Sequence, residues 1–256
     1  MVIYYIFYRK SNPVLNHNLL VENRLDLDRA LGKIGRSRRQ STHELVAAVL
    51  REAITTGQLR GNQPLPQDEI ASQLRVSHIP VREALRQLES EGLVSYEPNR
   101  GATVTDHTPE EIREIYEIRT LLETAAIHRA ASRLTQEQLD RAAAMLDRAE
   151  AMSDGGAWGS LDVEFHQMIY DLDARPRHQE LITGLLRQVD RYWLSHGLML
   201  QHRDRFDREH RELLGAIRAR DAERAARLLA IHLGGASELL VTALSGGEGT
   251  VPRPAP

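Results

Sequence analysis

Cysteine is absent from this chain of 256 residues, and aromatic residues make up only 5% of it. Without cysteine there can be no disulfide bond, thiolate metal ligand or cysteine nucleophile, so any metal site must use histidine and carboxylate side chains. The absence is compatible with a reducing compartment, and we expect a cytoplasmic protein. The charges nearly cancel, to a net charge of −3, so any surface that binds nucleic acid has to be a local one.

The chain also has little that resembles a membrane or secretion signal. The apolar run Val2 to Tyr8 is too short to span a bilayer and no cleavage pattern follows it, so we expect neither an anchor nor a signal peptide, and no membrane partner. The length and the hydrophobic content of 41% favour two domains, each with its own core.

The two ends of the chain lack sustained periodicity. Residues 1–40 are expected to form a flexible arm, and residues 245–256, rich in glycine and proline, a disordered tail. A basic cluster near the end of the arm fits either a solvated linker or an arm that contacts DNA phosphates. It consists of Lys33, Arg36, Arg38 and Arg39.

Residues 41–104 have the pattern of a helix-turn-helix followed by a hairpin. A capping box formed by Ser41 and Glu44 begins a helix that runs to about Gly57, and further helices are predicted at about 67–74 and 78–91. Strands are predicted at 93–96 and 102–104, joined by a turn over residues 97–101. In this arrangement the last helix can enter the major groove of DNA, with the hairpin as a wing beside it.

The stretch from Val76 to Glu89, with residues 91–94 and 98–102 after it, resembles the winged helix-turn-helix of GntR-type transcription regulators. This resemblance implies binding to double-stranded operator DNA through the start of the last helix and the wing tip. The residues implied are Ser77, His78, Ile79, Pro80 and Arg82 on the helix, and Asn99, Arg100 and Gly101 on the wing.

Individual positions in this surface differ in how well they support DNA binding. The guanidinium of Arg82 can pair with guanine through two hydrogen bonds. Arg86 is either a further DNA contact or a solvated charge paired with a neighbouring glutamate. His78 and Ile79 stand where the family often has a basic residue and a threonine. The operator sequence of this chain therefore cannot be taken over from its relatives. Asp68 stands where some relatives carry a DNA-reading arginine, and its charge would repel phosphate.

A second domain is predicted to follow a linker at residues 105–108. Thr108 caps a helix that has Pro109 in its first position and Glu111 at the capping-box position. The spacing predicts helices at about 109–132, 136–152, 157–173, 177–199, 203–219 and 221–243. No strand pattern is present and the connections are short, which favours an antiparallel all-α bundle of about six helices over residues 109–244. The fold class is therefore expected to be mainly α.

Four polar residues interrupt the apolar faces of these helices: Asp162, His166, His210 and His232. Asp162 and His166 are four residues apart and share a helix face. Carboxylate and neutral imidazole suit a divalent transition metal, and helices of one bundle can bring them together. The alternative is a set of independent core histidines, each with its own hydrogen bond. Glu164 and Glu209 are expected to face solvent or to support a ligand from outside.

The segments 114–119, 162–166, 209–210 and 232–233 occur in the order found in the effector (FCD) domain of FadR-like GntR regulators, and six helices resemble the VanR-type variant. The resemblance implies that Asp162, His166, His210 and His232 bind a metal beside a cavity for a small organic acid. Zinc is favoured, with nickel and manganese left open. Arg119 lies within an apolar stripe and needs an anion, which is either this effector or Glu123 four residues further on.

The function expected from these features is that of an operator-binding transcription regulator, a homodimer whose affinity for DNA is controlled by a small organic acid. A repressor is favoured over an activator, but only because the family resemblance implies it. A metal-dependent enzyme acting on a small carboxylate is the alternative from another class, but no general base or nucleophile elbow is found, so no catalysis is expected. A constitutive DNA binder with a purely structural metal is the third reading.

Overall fold

A computed structural model describes residue 25 and residues 27–34, 41–97, 101–152, 155–170, 175–195 and 197–246. The chain divides into two compact units, Met1–Asp106 and His107–Pro256. Each unit has a separate hydrophobic core. The wing-tip residues Asn99 and Arg100, most of the expected arm, and the tail from residue 247 onward lie outside the described residues.

The first unit is a winged helix-turn-helix. Its elements are α1 (Asp28–Ile34), α2 (Thr42–Thr55), α3 (Gln67–Leu74), α4 (His78–Ser90), β1 (Val94–Glu97) and β2 (Gly101–Val104). The capping box of Ser41 and Glu44 is formed as the sequence predicts. The strands pair antiparallel, with Val94 opposite Val104, and the segment before α3 adds a further backbone hydrogen bond from Leu65 to Ala102.

The expectation of a flexible arm over residues 1–40 is wrong for its described part. Leu25, Leu27 and Ala30 are buried in the core of the first unit. The backbone N–H of Leu25 donates to the Glu69 carboxylate, and the Lys33 ammonium lies 2.8 Å from a Glu52 carboxylate oxygen. A helix of seven residues is too short to show periodicity in the sequence, and it is stabilised by these contacts with α2 and α3 rather than by its own propensity.

The second unit is a helical bundle. Its elements are α5 (Pro109–Ala130), α6 (Gln136–Glu150), α7 (Gly155–Ile169), α8 (Pro176–Ser195), α9 (Leu198–Gln201), α10 (Arg203–Arg218) and α11 (Ala222–Ser245). The predicted caps at Thr108, Thr135 and Asp221 are all formed. The described part therefore has six long helices, as expected, plus the four-residue α9. The mainly α fold class is confirmed.

Within the part of the chain that the structure describes, one helix, α11, is long and apolar enough to cross a membrane by length and composition alone. The core helices of globular domains have the same properties, so this is weak evidence for a membrane span. Leu229, Leu233 and Leu240 of α11 are buried in the core of the second unit. The helix packs along α5, and its inner face also carries His232, which is 7% exposed.

Candidate functional site

The exposed face of α4 carries most of the residues that were predicted to read DNA. Ser77, His78, Ile79, Arg82 and Arg86 are exposed, and Pro80 is half-buried. Ile79 is 60% exposed, which is unusual for a large apolar side chain and suits contact with a base methyl group. On the wing, Gly101 is exposed with a φ of 75°.

Asp68 has a local partner on this face. Its carboxylate lies 3.3 Å from Nδ1 of His78, and both side chains are exposed. The acidic residue thus lies beside the first residue of α4, where its charge opposes an approaching phosphate. That Asp68 makes no favourable phosphate contact stays a prediction.

The second unit brings together the residues predicted to bind metal. Candidate ligand atoms of His166 on α7, His210 on α10 and His232 on α11 all lie within 4.8 Å of one another. Asp162, one turn before His166, places a carboxylate oxygen 3.3 Å from Nε2 of His210 and 3.8 Å from Nε2 of His166. The three imidazoles are at least nine-tenths buried. Four potential ligands from three helices therefore surround one point.

Hydrogen bonds on the outer side of two histidines fix which nitrogen faces this point. Tyr170 donates its hydroxyl to Glu123 at 2.6 Å, and its oxygen lies 2.9 Å from Nδ1 of His166. Since that hydroxyl proton is used, the oxygen accepts from Nδ1–H, and Nε2 of His166 is left as an acceptor. Nδ1 of His232 lies 2.7 Å from the Glu209 carboxylate and donates to it in the same way. Metal-binding histidines are commonly oriented by such outer partners.

His210 supplies the clearest test of whether these residues fit a cation. Its Nε2 is the single buried side-chain polar atom, among the described residues, that has no hydrogen-bond partner. Asp162 is near it, at 3.3 Å, but not in hydrogen-bonding geometry. A buried imidazole nitrogen without a partner costs roughly 1–3 kcal/mol. A divalent cation between the imidazoles and the carboxylate would remove that cost, so the donor set fits one.

The protonation states also suit a cation. Burial lowers the pKa of His166 and of His210 well below the ordinary value, so both imidazoles are neutral at neutral pH. Burial raises the pKa of Asp162 to about 7. A metal must displace the proton that this carboxyl holds below that pH.

A cavity with about 590 Å³ of empty space, part of it open to solvent, adjoins His166 and His232. Its walls come from α5, α7, α8, α10 and α11. Arg119 lines it and donates through Nε to Glu123 at 2.7 Å, with the guanidinium lying 4.5 Å from the centre of the Tyr116 ring. Burial opposes the charge of Arg119, but the neighbouring Glu123 raises the pKa of this arginine above its ordinary value. The internal ion pair expected as one alternative is thus present.

Three residues of the site were not singled out from the sequence. Tyr170 lies four residues after His166, a spacing that could have revealed it. Asp190 on α8 lines the cavity, and burial raises its pKa to about 6. Arg205 donates to Glu209 at 2.6 Å and lies against Gly235, where a Cβ would overlap the guanidinium. The pair of Arg205 and Glu209 has the same four-residue spacing, on α10, and could also have been found. Nothing in the local pattern of α8 indicates that Asp190 lines the cavity, and nothing in that of α11 indicates the contact at Gly235.

Comparisons with known proteins agree with both halves of this description. Residues 42–104 match the family described as bacterial regulatory proteins, gntR family, and residues 114–235 match the FCD domain. The chain is 33% identical over 126 residues to an HTH-type transcriptional regulator of Agrobacterium vitis, a match that covers 47% of this chain and 74% of that protein.

Other matches cover most of the chain. The HTH-type transcriptional repressor NanR of Cronobacter sakazakii is 26% identical over 229 residues, which is 81% of this chain and 88% of that protein. The crystal structure of a GntR regulator from Rhodococcus sp. RHA1 has a TM-score of 0.68 at 27% identity, and it covers 80% of this chain and 99% of that one.

These relatives are transcription regulators and not enzymes, as the lack of a catalytic constellation in the sequence predicted. The chain belongs to the GntR family of bacterial regulatory proteins, in the FadR-like branch with an FCD domain, and is a DNA-binding transcription regulator.

Proposed function

We propose that this regulator is a repressor that binds its operator as a homodimer in the cytoplasm and responds to a small organic acid bound beside a zinc ion in the helical bundle. The observation that carries the proposal is the unpartnered Nε2 of His210, which lies close to Asp162, His166 and His232. These three neighbours also line a cavity.

The metal ligands proposed are Asp162, His166, His210 and His232. They are nitrogen and carboxylate donors without thiolate, which suits zinc and is also compatible with nickel or manganese. In this proposal the ion supplies positive charge and an open position at the cavity wall for a carboxylate. The protein's own contribution is to hold the ligands in place, through the hydrogen bonds that His166 donates to Tyr170 and that His232 donates to Glu209.

Arg119 is proposed as the second contact of the effector carboxylate. It lines the cavity, and its hydrogen bond to Glu123 uses Nε, while a guanidinium has further N–H groups on its two Nη atoms. The ion pair with Glu123 and the effector contact are therefore compatible, and the carboxylate of Glu123 holds the guanidinium in position for the second anion.

Operator binding is assigned to the face of α4 and to the wing tip. On α4 the proposed contacts are Ser77, His78, Ile79, Pro80, Arg82 and Arg86, and on the wing they are Asn99, Arg100 and Gly101. One winged module contacts little DNA, and two copies related by a twofold axis would place two recognition helices on a palindromic site. NanR is described as a repressor, which supports the proposal that this chain also represses transcription.

The effector acts in this proposal by shifting a population of conformations. It must bind the DNA-competent and DNA-incompetent states with different affinities, and a coupling of roughly 1–3 kcal/mol changes operator affinity by about 5- to 150-fold.

The test measures operator binding by fluorescence anisotropy, with the operator selected from a random duplex library. Zinc-loaded and chelator-treated protein are compared with and without a panel of small carboxylic acids, in parallel with Arg119→Ala. We expect at least one acid to change operator affinity of the zinc-loaded protein about 5-fold or more, and Arg119→Ala to lose this response while binding the operator normally. If no acid changes operator affinity although zinc is bound, the metal is structural and the sensing proposal is wrong.

A further inference from the structure

The cavity beside His166 and His232 is lined by more acidic than basic side chains. The charged side chains among its described lining residues are one cation, Arg119, and three carboxylates, Glu123, Asp162 and Asp190. Arg119 is paired with Glu123, and Asp162 faces the histidines. Asp190 is the remaining carboxylate of the three, and neither Arg119 nor a histidine is paired with it.

Asp190 differs from the other carboxylates in its surroundings. Among the described residues, no side chain forms a hydrogen bond or ion pair with Asp190, although the charges of Arg119 and Arg187 act on it without direct contact. Glu123, by contrast, accepts hydrogen bonds from Arg119 and Tyr170. The remaining cavity-lining residues of α8 are Leu186, Val189 and Trp193, so Asp190 is the one acidic group on this wall. It is partly buried and lines a cavity that is partly open to solvent, so water can reach its carboxylate.

A ligand that fills the cavity displaces this water and must replace its hydrogen bonds. A methyl or methylene group at this place would leave a desolvated carboxylate without a partner, which is unfavourable. A second ligand carboxylate would add repulsion between like charges at short range. A hydroxyl or ammonium group donates a hydrogen bond to Asp190 and removes the cost.

We propose that Asp190 determines ligand specificity, and that the cavity selects carboxylic acids that also carry a hydrogen-bond donor, a hydroxyl or an ammonium group, directed at this residue. The inference rests on the proposed function, since it assumes that a ligand carboxylate occupies the metal and Arg119 end of the cavity. It narrows the effector class by excluding unsubstituted acids and dicarboxylic acids.

The experiment measures dissociation constants by isothermal titration calorimetry on the zinc-loaded full chain. The ligands are sets of straight-chain acids of three to six carbons, each offered unsubstituted, with a hydroxyl, with an amino group, and as the dicarboxylic acid. For the chain length that fits best, we expect the hydroxy or amino acid to bind about 10-fold or more tightly than the unsubstituted and dicarboxylic acids.

Two variants of Asp190 identify the residue responsible and the kind of donor. Asp190→Leu should abolish the preference for either donor. Asp190→Asn keeps an acceptor oxygen without the charge, so it should retain hydroxy acid binding but lose about 10-fold or more for an amino acid. Glu180→Leu is the matched control, because Glu180 is an exposed carboxylate on the same helix and should leave the preference unchanged.

The outcomes separate this inference from the proposed function. If acids bind but the unsubstituted or dicarboxylic forms equal the donor-bearing ones, the inference about Asp190 is overturned while acid sensing stands. Retention of the preference by a folded Asp190→Leu protein also overturns it. If no acid of any set binds, acid sensing itself is wrong and the inference fails with it. If the Asp190→Leu protein does not fold, the ligand affinities of the unmodified chain and of Asp190→Asn still test whether Asp190 determines specificity.

Discussion

Replacement of His210 by leucine should have opposite effects in the metal-free and the zinc-loaded protein. The imidazole is 1% exposed, and its Nε2 has no hydrogen-bond partner among the described residues. Its ring packs on that of Phe165, with ring centroids 5.1 Å apart, and near that of Trp158 at 6.3 Å. Leucine is apolar and similar in size, so it keeps much of this packing and removes the unpaired nitrogen.

The magnitudes follow from the cost of an unpaired buried group and from ligand linkage. Removing the nitrogen should stabilise the metal-free protein by about 1–2 kcal/mol, part of the roughly 1–3 kcal/mol that such a group costs. In zinc at 100 times its dissociation constant, the unmodified protein gains about 2.7 kcal/mol, a gain that His210→Leu should lose. The order of stability should therefore reverse when zinc is added.

Urea unfolding followed by tryptophan fluorescence measures this, because both tryptophans of the chain, Trp158 and Trp193, are buried in the second unit. His128→Leu is a matched control, since His128 is an exposed histidine of the same unit and should change stability by less than about 0.5 kcal/mol. A metal-free His210→Leu protein less stable than the unmodified one would refute the argument from the unpaired nitrogen. A variant still stabilised by zinc would remove His210 from the ligand set.

Three further predictions concern other parts of the site and the DNA surface. Zinc affinity should fall about tenfold per pH unit below the pKa of Asp162, which burial raises to about 7, because the protonated carboxyl must release its proton before it binds zinc. Titrations with a zinc indicator at several pH values should show this slope, and the Asp162→Asn variant should show a flatter one. Glu209→Ala should weaken zinc binding about 10- to 100-fold by removing the partner of His232, whereas the exposed Glu164→Ala should not; equal affinities would remove Glu209 from the support of the site. Arg82→Ala should cost roughly 1–3 kcal/mol of operator affinity and relax base preference at one position, as measured by anisotropy on single-base operator variants, and unchanged binding would contradict its role in DNA reading.

The sequence alone predicts the local elements well. The capping boxes at Ser41 and Thr108 involve residues three apart, so their geometry is decided by a few neighbouring side chains. The turn between α3 and α4 and the wing strands follow from patterns of the same short range. These are the parts of the fold in which the expected and observed boundaries agree to within a few residues.

The candidate metal ligands were also accessible from the sequence, for a different reason. A histidine or aspartate within an apolar helix face conflicts with burial unless something compensates it, and this conflict is visible at Asp162, His166, His210 and His232 without knowledge of the fold. The sequence could not establish that the four residues meet. That depends on how α7, α10 and α11 pack, which is determined by many weak contacts between distant residues.

What only the tertiary structure decided are the partners that lie on other helices. The order of α1 depends on contacts with Glu52 and Glu69, which are distant in sequence. Asp190 is left without an ion-pair partner because Arg119, the cation on the facing described helix α5, is paired with Glu123, and no property of α8 by itself reveals this. Patterns within a helix are fixed by neighbours along the chain, whereas burial and charge compensation are fixed by neighbours in space, and these become known only when the helices have packed.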